Sequence, residues 1–298
     1  MQLDKTRIAI RERTQIELLD LSLHVMRGYG KKILMPFLLG VIPLALLNHF
    51  LIGWMGSSDY VDYGVSYVPV RFVWNMSLLV FLEAPLASIF ATAYLGRAVF
   101  EEKPTMGDVW REFRRAWAQV LVCLTLLRGP AVAWVLLFLA RDEGEFTFYE
   151  SILLLVVGFV ALVRAIRPFM TEIVMLEHNP WTSPNPNAMT LSRRLNLLHA
   201  AVNANLFPRW LATAFVSVVL TGALAHGLLA VSGYFGGSWR WGPILVNIGI
   251  PATMWVVVMY VTIVRFLSYL DVRIRNEGWE VELQLKAEVS RLVRGAIR

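Results

Sequence analysis

Apolar residues fall in six long runs divided by short polar stretches, and the length of the runs sets the first expectation. A helix rises 1.5 Å per residue, so about 20 apolar residues cross a ~30 Å hydrocarbon core. The pattern places spans at about 33–54, 72–96, 118–140, 149–170, 210–231 and 242–264. The fourth keeps a helical pattern to Leu176, roughly 28 residues or ~42 Å, so it is expected to project past the membrane. Pro251 is expected to kink the sixth.

Between the spans the period changes from apolar runs to two-faced helices. Thr14 and Glu17 have the spacing of a capping box. They predict a helix over 15–27 with Glu17, Asp20, His24 and Arg27 on its polar side, ended by Gly28 and Gly30. It is too short to cross, so it is expected to lie in the interface. A second such helix starts at Pro104, Thr105 and Asp108, with Val109, Trp110, Phe113 and Trp117 opposite Asp108, Arg111, Glu112 and Arg115. A loop, HNPWTSPNPN, precedes a third over 188–205, where Leu191, Leu195, Leu198 and Val202 oppose Arg193, Asn196 and Asn203. A last helix, from about Trp279, aligns Val281, Leu285, Val289 and Leu292. The expected fold is therefore an all-α integral membrane protein. It has a segment 1–32, a six-helix membrane domain 33–264 and an amphipathic segment 265–298.

One stretch breaks the apolar rule. Leu79 to Tyr94 carries Glu83 and Pro85 among residues otherwise fit for lipid, with Ala84/Ser88 and Ala87/Ala91 at the four-residue spacing of close helix contacts. A charge at the bilayer centre costs at least about 2.5 to 3.5 kcal/mol and is expected to find a partner. Arg128, before Gly129 and Pro130, falls near the midpoint of the next, antiparallel span and so at nearly the same depth, and Glu83 and Arg128 are expected to form an intramembrane pair.

Composition agrees with the pattern: 57% of residues are apolar and 17% charged, against about a quarter charged in soluble domains. The net charge of +6 could suit nucleic acid, but the basic residues sit at the ends of apolar runs, which points to anionic lipid instead. Of the 28 Lys and Arg, 24 fall on one side of the predicted topology, which makes that side, with both termini, cytoplasmic. The outer loops include an acidic one, Gly56 to Pro69, whose Tyr60, Tyr63 and Tyr67 suit an interface belt. No short apolar run precedes a cleavage pattern, so the first span is expected to act as its own signal. Cys123 is the only cysteine, so no intrachain disulfide is available. Asn75-Met76-Ser77 matches a glycosylation sequon but lies inside an apolar run.

Candidate chemistry is sparse. The five histidines have no metal-ligand spacing, and neither a G-x-S-x-G elbow nor a phosphate-binding G-x-x-x-x-G-K-[ST] loop is present. No cofactor is expected. Lys31, Lys32, Arg164, Arg167, Arg193 and Arg194 are candidate contacts to lipid headgroups, and the amphipathic helices could also meet a protein on the cytoplasmic face. A non-enzymatic scaffold or accessory subunit needs the fewest assumptions. A transporter would use Glu83, Arg128 and the proline breaks. A lipid-modifying enzyme would need Glu83 or Glu172 as a base with a second group that the sequence does not position.

The alternation of interfacial helices and spans, the SRRLNLLH segment before a late span and the ending FLSYLDVRIRNEGWEVELQLK carry a resemblance. They resemble an uncharacterised class of bacterial multi-pass proteins, similar to the membrane domain attached to some glycerophosphodiester phosphodiesterases. That resemblance implies an inner-membrane domain. It carries over no hydrolase activity, because the catalytic barrel of such enzymes takes about 250 residues that this chain has no room for.

Overall fold

Thr14 begins the first helix as its spacing predicts. Its Oγ1 accepts the Glu17 N–H at 3.4 Å, and its own N–H donates to Glu17 Oε2 at 2.9 Å. In this computed structural model, which describes residues 14–56, 69–99, 104–141, 146–185, 188–200, 203–237 and 239–277, the described residues are helical with no strand. The predicted helix from 279, the acidic Tyr-rich loop and residues 1–13 lie outside the described residues.

Helix α1, Gln15–Ile52, runs through Gly28 and Gly30, so the predicted separate helix over 15–27 is corrected. An interior glycine costs only about 1 kcal/mol, and neither of these takes the left-handed conformation that ends helices. The first turns are not free on a surface: Leu18 and Ser22 are buried, and Tyr260 donates from its hydroxyl to Leu19 O at 3.2 Å. The result is a single rod of 38 residues, about 57 Å long.

The second span is α2, Val70–Ala87, followed at Ser88 by α3, Ile89–Ala98. The small residues anticipated there do bring helices close. A Cβ added at Gly40 of α1 would stand 2.3 Å from Ala87 O.

The third predicted span is not straight. Helix α4, Met106–Gln119, continues through a π-helical turn, Val120–Leu126, then bends by 51° into α5, Pro130–Leu139. Gly129 has φ 88°, a left-handed conformation that suits glycine, and Pro130 follows at the start of α5, where no N–H is needed.

The fourth is also interrupted. Helix α6, Phe148–Ile166, stops at Arg167, and α7, Met170–Leu176, restarts beyond Pro168, so the 28-residue helix is corrected. Proline disfavours the helical conformation in the residue before it, and Arg167 sits at φ −129°, ψ 67°.

Helix α8, Leu191–Ala200, and the 34-residue α9, Asn203–Gly236, follow the predicted loop. A π-helical turn, Leu245–Gly249, then leads into α10, Ile250–Glu277, so the irregularity expected from Pro251 falls in the turn before it.

Helix α10 is the inner element, packed against α1, α2, α3 and α9. Its apolar window is 78% buried against 56% for α2 and 6% for α9, so the last span, more than the second, forms the centre. The outward faces are apolar, with Phe215, Val218 and Leu155 at least 70% exposed. Five helices are long and apolar enough to cross a membrane, or six when the bent pair counts as one span. This is a multi-pass integral membrane architecture.

Candidate functional site

The Glu83–Arg128 pair does not form. Glu83, fully buried, accepts from Asn48 Nδ2 at 2.7 Å and from Trp134 Nε1 at 2.6 Å, which ties α2 to α1 and α5. Arg128 donates from Nη2 to Arg167 O at 2.7 Å, a carbonyl at the end of α6 that has no helical partner. The depth argument assumed a straight third span, and the bend before Pro130 breaks it. Trp134, not Arg128, reaches the carboxylate. Substitutions at Glu83 and Arg128 should therefore be additive. In thermal unfolding of solubilised protein, E83Q and R128Q together should cost the sum of the single changes to within about 0.5 kcal/mol. A clear rescue in the double variant would restore the direct pair.

Arg164 is not exposed at the interface, where a contact to lipid headgroups was expected. It is 8% exposed, and its two Nη atoms donate to Phe81 O and, at 2.7 Å, to Leu82 O. Pro85 supplies the reason. It has no N–H to close the helical bond to Phe81 O, and the guanidinium takes that carbonyl while lying 4.4 Å from the Phe81 ring centroid.

Of the remaining candidates, Lys31, Lys32, Arg167 and Arg193 are exposed. Arg167 donates to Asn196 Oδ1 at 3.1 Å. Arg194 is engaged inside the protein instead: Nη2 donates to Glu177 Oε1 at 2.8 Å and Nε to Oε2. Glu177 also accepts from the Tyr269 hydroxyl at 2.6 Å. Burial pushes its carboxyl up, but the bonds from Arg194 and Tyr269 and the charges of Arg194 and Arg273 prevail and hold it below the usual carboxylate range.

Two further carboxylates act as clasps that the sequence did not reveal. Glu112, expected on a wet face, meets Arg97 and His178 at 2.5 Å each. At the opposite end Glu150 joins the Thr147 cap of α6 to Arg71, at 3.0 and 3.1 Å, and to buried Asn75. The sequon asparagine is thus a structural residue.

A cavity of about 430 Å³ opens between α2, α9 and α10, where Arg128 and Arg164 meet Arg209 and Arg265. The rest of its wall is mostly aliphatic, including Val80, Val257 and Val261, with the exposed Val218 at its open side. Arg265 is neutralised by Glu172 at 2.5 Å and also donates to Ser88 Oγ at 2.9 Å. Arg209 meets Asp271 at 3.3 Å, and Arg275 shares that carboxylate at 3.1 Å. Arg128 and Arg164 have no carboxylate partner among the described residues, and the Nε of each is buried without an acceptor. Two buried guanidinium groups thus face one cavity with no carboxylate in direct contact among the described residues, while Glu172 is near enough to favour the charge of Arg128.

Arg209 and Arg265 were missed as site residues because each was counted with the cytoplasmic border. The available signal was a lone arginine inside an apolar run, as in TIVRFLSYL. Asn48, in ALLNHFLI, carried the same kind of signal for Glu83.

No family model, characterised protein or solved structure matches the chain.

Proposed function

We propose that this is a six-span protein of a bacterial cytoplasmic membrane, with both termini inside, that holds an anionic amphiphile in the arginine-lined cavity. It acts as a non-enzymatic scaffold or accessory subunit whose bundle includes a lipid-like ligand. The orientation rests on the basic residues: 24 of 28 fall on one side of the predicted topology, and 23 stay there once buried Arg164 is set aside with Arg128, the bent α4–α5 pair counting as one span. A transport path is the second reading: Glu83 and Arg128 do not touch, which removes a direct pair as its centre, while Arg128 in the cavity wall and the bend before Pro130 support it.

The observation that carries the reading is the pair of carboxylate-free guanidiniums, Arg128 and Arg164, on an otherwise apolar wall. A buried charge without a partner costs several kcal/mol. An anion in the cavity offsets that cost, and the valine-rich wall suits an alkyl chain. The cavity extends along α9 from Arg209 to Thr221, about 18 Å, so the charged group and the chain have separate places.

Native mass spectrometry of the detergent-solubilised protein tests this with phosphatidylglycerol and phosphatidylcholine of identical chains. Phosphatidylglycerol adducts should dominate. Ala214→Trp, which fills the cavity from α9, should remove them while preserving the thermal transition. Equal retention of both lipids, or adducts undiminished in the filled variant, would overturn the reading.

A further inference from the structure

The polar groups of the cavity also specify what kind of anion fits, an inference that rests on reading the cavity as an anion site. Ser77, Thr213, Ser217 and Thr221 line it, yet each hydroxyl hydrogen is already given to a carbonyl of its own helix, at 2.7 or 2.8 Å. Those oxygens can accept but have no proton left to donate. The carboxylates nearest the lining, Glu172 and Asp271, are held by Arg265 and by Arg209 with Arg275. Each of these carboxylates is thus already paired with arginine, although Glu172 Oε2 is buried with no hydrogen-bond partner among the described residues. The donors left over along the lining are the remaining guanidinium N–H groups, the Ser268 hydroxyl and the Trp210 indole N–H.

Charge then separates one anion from another. Setting Arg265 against Glu172, and Arg209 against an Asp271 that Arg275 also shares, leaves a surplus of at least two positive charges, carried by Arg128 and Arg164, side chains that are 2% and 8% exposed. The two lie within electrostatic reach of each other and of Arg265. A carboxylate or a phosphodiester brings one negative charge and leaves one guanidinium uncompensated. A phosphate monoester carries about −1.5 to −2 near neutral pH and three acceptor oxygens. Guanidinium groups are suited to such oxygens by their fork of donors.

We infer that the ligand is a phosphate monoester carried on an apolar tail, with its dianionic head between Arg128 and Arg164 and its tail along the valines of α9 and α10. The head chemistry is shared by free inorganic phosphate; the aliphatic wall selects the tailed form.

Binding is measured on the full-length protein at pH 8 with dioleoyl phosphatidate, a monoester. It is compared with dioleoyl phosphatidylmethanol, its monoanionic diester, with dioleoyl phosphatidylcholine and with inorganic phosphate. Phosphatidate should bind about tenfold more tightly than phosphatidylmethanol, the effect of roughly one charge-assisted hydrogen bond. Phosphatidylmethanol should in turn exceed phosphatidylcholine. Arg128→Gln, which removes one charge of the surplus, should bring the two anionic lipids to near parity while both stay above phosphatidylcholine. If that variant does not fold, the ratios of the unmodified protein decide the matter alone. Phosphatidate and phosphatidylmethanol binding equally, both above phosphatidylcholine, would overturn the monoester assignment and leave the anion site intact. Equal binding of all three lipids would overturn both. Inorganic phosphate that stabilises the protein as much as phosphatidate does would overturn the requirement for a tail.

Discussion

Replacing Arg164 by leucine is expected to lower the stability of the solubilised protein by about 2 to 4 kcal/mol, despite removing a buried charge. The guanidinium supplies hydrogen bonds to Phe81 O and Leu82 O, and bonds from charged groups are worth about 1.5 to 3 kcal/mol each. Relief of the desolvation cost returns only part of that sum. The more telling measurement is the same change made in a Pro85→Ala background. Alanine restores an N–H that can bond Phe81 O along the helix, so Arg164→Leu should there cost about 1 to 2 kcal/mol less. Equal cost in the two backgrounds would show that Arg164 does not serve the carbonyl opened by Pro85.

Gly40→Ala should be at least as damaging, about 3 kcal/mol or more, although it adds one methyl group. The new Cβ would stand 2.3 Å from Ala87 O and 2.9 Å from Ala87 C, both backbone atoms that cannot rotate away. The rods α1 and α2 would have to separate, and overpacking of this kind disturbs the whole contact. Gly28→Ala is the control on the same helix. It meets nothing within 4 Å and should be neutral or stabilising by up to about 1 kcal/mol, because alanine is the better helix former. Thermal unfolding of the two variants side by side makes the test. A Gly40→Ala protein as stable as Gly28→Ala would mean that the helices are not in contact there.

The helices themselves were legible, because their lengths and apolar runs follow from the thickness they cross. Their interruptions were only partly so. Pro168 was in view, but an unbroken helix to Leu176 was expected from the apolar period, which does not sense the restriction that proline places on Arg167. Gly28 and Gly30 were read as a stop, yet a glycine ends a helix only where the chain turns left-handed, and this is decided by what the next residues pack against. For α1 that is α10, more than 200 positions away. The polar sites failed for a related reason. Depth along a straight helix suggested that Glu83 and Arg128 would meet, but π-helical geometry and the 51° bend re-aim every side chain after Val120. Partners such as Asn48 for Glu83, or Phe81 O for Arg164, depend on helix rotation, which a single sequence does not encode locally. A pair such as Asp271–Arg275 is of the legible kind, because its i, i+4 spacing needs one helix alone.

The unbroken α1 has a mechanical consequence. Its first residue, Gln15, lines the arginine cavity and donates to Thr213 Oγ1 on α9 at 3.3 Å, while Gly40 lies in its closest contact with α2. The 25 residues between them form one continuous helical arm of about 37 Å that includes Pro36. Pivoting on Gly40, a swing of only 5° carries Gln15 through about 3 Å, the length of one hydrogen bond. Small changes of tilt, of the size that a thinner or thicker bilayer imposes on a helix, are thereby magnified at the mouth of the cavity. A joint at Gly28 would uncouple the two contacts; the continuous helix links the tilt of α1 at Gly40 to the Gln15–Thr213 hydrogen bond.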